Sequence, residues 1–247
     1  MFDARAAHYD DGVMHRWLAE TAVSTISVPD HAVVVDVAAG TGLAGRAVRH
    51  RQPSVQVLAV DLAAELLRVA RAHGLSPVQG DAERLPVGSQ TVDAVLCVSA
   101  AAYFHHPQRA LQEFARVLRP GGTCLVQTWC DGTISPTRIL RQSAASAGID
   151  IPDPNSALGR ESRLRQAMSA AGLTVVTIHE RAWHASWPDP DAAWSNAIQG
   201  LLGGPLSGLD SSRLARVETA FTSQLRALST RHADDAQRLL IGVGIVG

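Results

Sequence analysis

Lysine is absent from this chain of 247 residues, so all 22 basic residues are arginine. The absence excludes Schiff-base chemistry, pyridoxal phosphate attachment and the phosphate-binding lysine of a P-loop, because each of these needs a lysine amine. Cysteine is scarce as well. Cys97, Cys124 and Cys130 lack CxxC spacing, and two of them fall in apolar segments, which predicts buried, reduced thiols.

A strong charge of one sign and long apolar runs are also missing. The net charge is −1, without a basic block or an acidic tail, which argues against a nucleic-acid partner. No apolar run reaches about 18 residues and no signal-peptide pattern opens the chain, so we expect a soluble cytoplasmic protein with no membrane contact. A monomer or a homodimer is expected. With 46% apolar residues, the chain can bury a sizeable core.

Short apolar runs alternate with amphipathic segments through the first 130 residues. Strands are predicted at 32–37, 55–61, 76–79, 92–98 and 123–129, and the helix that starts near 108 is expected to end at Pro120-Gly121-Gly122. This alternation is typical of a doubly wound α/β fold with a parallel sheet and helices on both faces. The ligand should bind beyond the carboxyl ends of the strands, where the strand order reverses.

The remainder of the chain shows weaker patterns. Residues 3–27 are predicted to form one or two helices, and residues 131–160 are predicted to form a loop or lid region with at most a short helix. The pattern then predicts a helix at 161–172, a strand from 174, a helix from Asp191, a long helix N-capped by Ser211 or Ser212, and a final strand at 237–247.

The stretch VVVDVAAGTGLAG at 33–45 carries the main motif. Gly40, Gly42 and Gly45 fit the dinucleotide fingerprint GxGxxG. Asp36, however, ends the preceding strand, and a carboxylate there would repel a pyrophosphate docked on the glycine turn. A cationic ligand is favoured instead. S-adenosylmethionine carries a sulfonium and an ammonium and has no phosphate, so it suits this turn.

Acidic residues also follow the next two predicted strands. Asp61 can accept hydrogen bonds from both hydroxyls of a ribose, a feature that NAD and S-adenosylmethionine share. Asp81 could accept a hydrogen bond from an adenine amino group, with the backbone of Ala82 reading the ring. Any one of these acids could instead serve a turn or a helix cap. Three acids at three successive strand ends favour a ligand site.

These motifs resemble one known family. The stretches VVVDVAAGTG, AVDLA, GDAERLP, VDAVLCVSAAAYF and EFARVLRPGGTCLVQTW occur in this order. Together they resemble the class I S-adenosylmethionine-dependent methyltransferases, in particular the group of ubiquinone, menaquinone and natural-product methyltransferases. The resemblance covers residues 1–130 well and the remainder only in outline. It implies a seven-stranded, mostly parallel Rossmann-like sheet with the last strand antiparallel.

The resemblance also implies roles for single residues. The expected cofactor contacts are Tyr9 folding over the cofactor, Asp36, Ala38 and Gly40 at the methionine end, Thr41 and Gly42 in the turn, Asp61 at the ribose, Leu62, Asp81 and Ala82 at the adenine, and Ser99 near the methionine portion. Tyr9 could equally be a helix-packing residue.

The catalytic residues are less clear. Relatives often carry a His-His or His-Trp pair after the fourth strand, but alignment on Pro107 places Tyr103 at that position and His105 and His106 in the following loop. These three are weak candidates, since the pair also suits an exposed loop. Other histidines that could act as a base are His8, His15, His179 and His184. No histidine spacing fits a tight metal site, so we predict no metal.

The predicted activity is methyl transfer from S-adenosylmethionine to a small-molecule acceptor, by in-line displacement that depends mainly on positioning. The chain is expected to be one domain with a helical cap (1–30), a cofactor-binding core (31–130), an acceptor-side lid with helices (131–235) and a final strand (236–247). Trp183, Trp187 and Trp194 could form an aromatic wall for the acceptor, or pack a helix onto the sheet. An NAD(P)-dependent oxidoreductase and a cofactor-binding protein without methyltransferase activity remain alternatives.

Overall fold

The computed structural model describes residues 10, 12–200, 202–230 and 235–247. Strands and helices alternate in the order predicted. The strands are β1 Val33–Val37, β2 Gln56–Asp61, β3 Ser76–Gln79, β4 Val92–Val98, β5 Leu118–Trp129, β6 Leu173–Ala185 and β7 Asp235–Val246. The helices are α1 Val13–Val23, α2 Leu43–Arg51, α3 Ala64–Ala72, α4 Pro107–Val117, α5 Ser135–Ser146, α6 Glu161–Ala170, α7 Pro190–Gln199 and α8 Ser211–Thr230.

All the strands of the described residues belong to one sheet, in the order β3-β2-β1-β4-β5-β7-β6. β1 pairs in parallel with β2 and with β4, and the pairs β2–β3 and β4–β5 are parallel too. The predicted doubly wound, mostly parallel sheet with an antiparallel last strand is confirmed. Strand order reverses between β1 and β4, so the carboxyl ends of these two strands are where a ligand site is expected.

The central strands are apolar because both of their faces are covered. Val34, Val35 and Val37 of β1 are fully buried, and β4 is equally apolar. The helices that follow these strands each bury one apolar stripe, as an amphipathic period requires. In α4 the buried stripe consists of Ala110, Leu111, Phe114 and Val117.

The chain divides into two compact units. We call the first the sheet unit; it contains the described residues up to Thr128 together with Ala157–Glu180 and Leu240–Gly247. The second, the helical unit, contains Trp129–Ser156 and Arg181–Leu239. The helical unit has its own core of buried residues from α5, α7 and α8, among them Ile139, Leu140, Trp194, Val217, Phe221 and Leu225. The predicted apolar stripe of α8 is therefore confirmed.

Three local predictions were wrong. The strand predicted at 123–129 already begins at Leu118, directly after α4 ends at Val117, and Leu118 pairs with Val92. Arg119, which precedes Pro120, favours an extended backbone, so the strand can start ahead of the proline. The N-cap of α8 is neither Ser211 nor Ser212, since the carboxylate of Asp210 accepts the N–H groups of Ser212 (3.0 Å) and Arg213 (2.9 Å).

The third correction concerns the predicted lid region, residues 131–160. It contains α5, a full helix of 12 residues, in place of the loop with at most a short helix. Two of its serines, Ser135 and Ser143, are buried together with its apolar residues, so the serine content does not prevent a buried helix face. Burial of Ile139, Leu140 and Ala144 stabilises it, and Pro136 occupies a first-turn position where no N–H is needed.

Candidate functional site

The turn from β1 to α2 has an unusual backbone. Ala38, Gly40 and Gly42 all have positive φ, at 52°, 57° and 83°. Gly42 cannot be replaced without rearrangement, because a Cβ atom there would lie 2.3 Å from Cδ1 of Leu75. Ala38 is a non-glycine residue in the left-handed region, a form of strain that clusters at ligand sites.

Asp36 is buried beneath this turn. Only 2% of the residue is exposed, and its Oδ2 accepts a 2.8 Å hydrogen bond from the Gly45 N–H in the first turn of α2. Burial raises the pKa of Asp36 to about 7, the Gly45 hydrogen bond opposes that rise, and the nearby Asp61 charge adds to it. The helix N-terminus that would hold a phosphate is thus already capped by a carboxylate of the chain itself.

Asp61 connects the glycine turn to the next strand end. Its Oδ2 accepts a hydrogen bond from the Gly40 N–H and its Oδ1 accepts one from the Ala63 N–H, each at 2.8 Å. The residue remains half-buried at the carboxyl end of β2. It therefore fixes the turn, and the residue is still partly exposed to solvent.

The adenine candidates follow β2 and β3. Leu62 is 66% exposed, an unusual state for a leucine directly after a buried strand. Ala82 is buried, whereas Asp81 is exposed and its Oδ1 accepts the Glu83 N–H at 2.9 Å. Together with Asp61, these side chains line the carboxyl edge of the sheet from β1 outward to β3.

Ser99 occupies the equivalent position after β4. Its φ is 57°, so Ala38 and Ser99 carry the same strain at the ends of two neighbouring strands. The Ser99 N–H donates a long, 3.3 Å hydrogen bond to the backbone oxygen of Gln127 in β5. These two strained residues flank one cleft. Its lining residues include His15, Leu18, Asp36, Ala38, Val98 and Ser99, all in the sheet unit.

Sequence reasoning missed one residue of the site, Asp10. It accepts a short hydrogen bond from the hydroxyl of Thr41, a residue that is 1% exposed, and a 2.7 Å hydrogen bond from the Arg46 guanidinium. Asp10 also lies 3.8 Å from Nε2 of His73. These contacts join the segment before α1 to the glycine turn. No sequence pattern indicates them, because they join residues more than 30 positions apart.

The catalytic candidates lie outside the residues that line the cleft. Tyr103 is 44% exposed and ends a short 3-10 helix, Ala101–Tyr103. His105 and His106 are exposed in the next loop, where the His106 N–H donates to Oε1 of Glu83 at 2.8 Å. Of the histidines considered as bases, His15 is the one that lines the cleft. Tyr9 and His8 lie outside the described residues.

Two of the three tryptophans pack within the helical unit. Trp194 is 5% exposed, with its ring centroid 5.8 Å from that of Phe221 in α8. Trp187 packs against the same core. Trp194 therefore holds α7 on α8, and the suggestion that it packs a helix onto the sheet was wrong. A part in acceptor binding stays a prediction for this region.

The cysteines and the potential metal ligands do not form a further reactive site among the described residues. Cys97, Cys124 and Cys130 are buried, as predicted, and form no disulfide within the described part of the chain. Burial raises the pKa of Cys97 well above its usual range and that of Cys124 to about 12. Within the described ranges, no group of three or more His, Cys, Asp or Glu side chains could hold a metal ion. No helix among the described residues is long and apolar enough to cross a membrane.

Comparison with known sequences agrees with this geometry. A family model described as a methyltransferase domain matches residues 35–126, which contain the glycine turn and the strands beside it. The malonyl-[acyl-carrier protein] O-methyltransferase of Herminiimonas arsenicoxydans is 30% identical over 185 residues, which are 74% of this chain and 68% of that protein. The ubiquinone/menaquinone biosynthesis C-methyltransferase UbiE of Syntrophotalea carbinolica is 33% identical, over 51% of this chain and 58% of the relative.

Solved structures share the fold. The protein solved in complex with the Trm112 methyltransferase activator of Haloferax volcanii has a TM-score of 0.65 and 24% identity, covering 99% of this chain and 97% of its own. The [4+2]-cyclase SpnF has a TM-score of 0.58 at 18% identity, covering 94% of this chain and 81% of its own. At these identities the likeness establishes the architecture alone.

Proposed function

Because the chain belongs to the class I S-adenosylmethionine-dependent methyltransferase family, we propose that it transfers a methyl group from S-adenosylmethionine to a small-molecule acceptor. The main observation in favour of S-adenosylmethionine as the cofactor is the hydrogen bond from the Gly45 N–H to Asp36. It places a carboxylate at the helix N-terminus, and the ionised form of Asp36 repels a pyrophosphate there but attracts a sulfonium and an ammonium.

The remaining donors and surfaces also fit this cofactor. Asp61 keeps a carboxylate at the end of β2 for a ribose diol, and Leu62 offers an exposed apolar surface beside it for an adenine ring. Ala82 and Asp81 would read the adenine edge. Thr41, Gly40 and Gly42 bring the backbone close to the ligand, and Ala38 and Ser99 would hold the methionine portion.

The bound cofactor supplies a methyl group that is already activated on its sulfonium. What remains for the protein is alignment and exclusion of water. The rigid turn at Ala38–Gly42 and the strained end of β4 at Ser99 fix one wall of the cleft. If the acceptor reacts through an O–H or N–H group, His15 is the candidate base that lines the cleft, whereas Tyr103, His105 and His106 do not line it.

The relatives do not identify the acceptor of this chain, because they differ in which acceptor atom is methylated. One is named for O-methylation of a malonyl thioester on a carrier protein and another for C-methylation of a quinone. We propose that acceptor choice depends on residues 131–160 and 183–205, within a single methyltransferase domain. Natural-product biosynthesis and a cytoplasmic location fit this proposal.

Calorimetric titration of the purified chain tests the cofactor. We expect binding of S-adenosylmethionine and S-adenosylhomocysteine, and none of NAD+ or NADH at the same concentrations. Binding of NADH alone would overturn the proposal in favour of an oxidoreductase. Transfer of a labelled methyl group to malonyl thioesters, demethylmenaquinone and a metabolite extract then tests the reaction. Cofactor binding without transfer would favour other chemistry on this fold, as in the cyclase of similar architecture.

A further inference from the structure

A buried amide in β5 has no hydrogen-bond partner. Gln127 is completely buried, yet neither its Nε2 nor its Oε1 forms a hydrogen bond with any described residue. Buried polar side chains almost always form hydrogen bonds within the protein. A buried group has lost its hydrogen bonds to water, so leaving it without a partner costs free energy of folding. An amide that loses both of its water partners on folding without replacing them weakens the ligand-free fold. We therefore expect a ligand-bound state in which the Gln127 amide forms hydrogen bonds with the ligand.

The strand register places Gln127 on the face of the sheet that carries the cleft. Asp36 of β1 pairs with Leu96 of β4, and Val98, two residues further along β4, pairs with Gln127 of β5. Paired residues of adjacent strands share a face, as do residues two apart on one strand. Asp36 and Val98 line the cleft, so the Gln127 side chain lies on that same face, beside Val98.

We infer that Gln127 is a positioning residue for the amino-acid end of the cofactor, an inference that rests on the proposed function. The two unsatisfied atoms are one acceptor, Oε1, and one donor, Nε2. An α-ammonium donates and an α-carboxylate accepts, so a zwitterionic amino-acid group satisfies both atoms of one amide. A neutral amide does this without adding charge to the sheet face that carries Asp36.

The amide is closed off in the ligand-free chain, so binding has to move the segment that adjoins it. The end of β4 adjoins Gln127 through the backbone: the Ser99 N–H donates a 3.3 Å hydrogen bond to the main-chain carbonyl of Gln127, and Ser99 has a positive φ of 57°.

The test compares two ligands that differ only in the amino-acid end. S-adenosylhomocysteine carries it, and 5′-methylthioadenosine lacks it. For Gln127→Leu and the longer, more flexible Gln127→Met, we expect S-adenosylhomocysteine to bind at least tenfold more weakly by calorimetry, while 5′-methylthioadenosine changes less than twofold. Urea unfolding of the ligand-free variants should show unchanged or increased stability, because an unsatisfied amide has been removed.

Ser143→Ala is the matched control. The Ser143 hydroxyl is also buried without a hydrogen-bond partner, but it lies on α5 in the helical unit. This variant should stabilise the ligand-free chain and leave both affinities unchanged. Equal weakening of both ligands by the Gln127 variants, or no weakening, would overturn the inference while leaving the proposed function intact. If the unaltered chain bound neither ligand, the proposed function itself would fail.

Discussion

Asp61 accepts a 2.8 Å hydrogen bond from the Gly40 N–H, across a gap of 21 residues in sequence. The bond fixes the left-handed turn after β1 to the end of β2, and the second oxygen of Asp61 holds the Ala63 N–H in the same way. One carboxylate thus shapes two of the loops that border the candidate cofactor site. Its proposed contact with a ribose would use electron pairs that these backbone bonds leave over.

Replacement of Asp61 by Asn tests this double role. The amide retains one acceptor oxygen, so one of the two backbone N–H groups loses its partner and a ribose loses a charged acceptor. We expect a loss of about 1–3 kcal/mol in the free energy of unfolding and at least tenfold weaker binding of S-adenosylhomocysteine. Urea unfolding and calorimetry measure the two effects.

Asp93→Asn is the control for that variant. Asp93 also accepts a backbone N–H, from Val33 at 2.7 Å, but it lies at the opposite end of β4, away from the cleft. We expect a comparable loss of stability with no change in ligand affinity. A similar drop in affinity for both variants would show that Asp61 acts only through the fold.

Asp36 should make the stability of the ligand-free chain depend on pH. Its folded pKa, about 7, lies above its ordinary 3.8, so the folded state holds a proton that the unfolded state has released. This group's contribution is fully present below pH 3.8, declines between 3.8 and 7, and is lost above 7, a difference on the order of 4 kcal/mol.

The variant Asp36→Asn isolates that effect, since its amide oxygen can still accept the Gly45 N–H and it does not ionise in this range. Urea unfolding at several pH values should show wild type losing stability relative to the variant as pH rises from 5 to 7.5. Parallel curves for the two proteins would contradict the raised pKa of Asp36.

The same carboxylate should discriminate ligands by charge. S-adenosylmethionine carries a sulfonium, whereas S-adenosylhomocysteine has a neutral sulfur. As Asp36 ionises around pH 7, the affinity ratio of the first to the second ligand should increase several-fold between pH 6 and pH 8. Calorimetry on Asp36→Asn should give a ratio that does not vary with pH. A constant ratio in wild type would place the sulfonium away from Asp36.

The variant Gly45→Ala tests how closely α2 must approach the sheet for the chain to keep its stability. A Cβ atom there would lie 2.7 Å from Cγ1 of Val57 and 3.2 Å from Oδ2 of Asp36. Alanine normally favours a helix by about 1 kcal/mol, but this crowding should reverse the sign and destabilise Gly45→Ala by roughly 1–3 kcal/mol. Thermal unfolding measures it. Gly208→Ala, at a position with open space around it, should stay within about 0.5 kcal/mol of wild type.

Much of this architecture can be predicted from the amino-acid sequence. Apolar runs ending in Asp36 and Asp61, with glycines between them, predict the strand ends and the turn, because only glycine adopts such a backbone at low cost. The α8 stripe of Val217, Phe221 and Leu225 is equally readable, since it follows a helical period.

Other features depend on distant contacts and are therefore hidden. Asp10 acquires its partners Thr41 and Arg46 only after the chain has folded, and the partnerless state of Gln127 follows from what neighbouring strands fail to provide. The full length of helix α5 is not predictable from its composition, because its stability comes from burial of Ile139 and Leu140, which outweighs the effect of its Ser and Pro residues.

Gly45 lies so close to Val57 that the side chains at these two positions compete for the same volume between α2 and β2. Enlarging one side chain demands shrinking the other, so Val57→Ala should rescue part of the defect of Gly45→Ala. Among homologues, a larger residue at position 45 should occur together with a small residue at position 57, a covariation that reflects the spacing between helix and sheet.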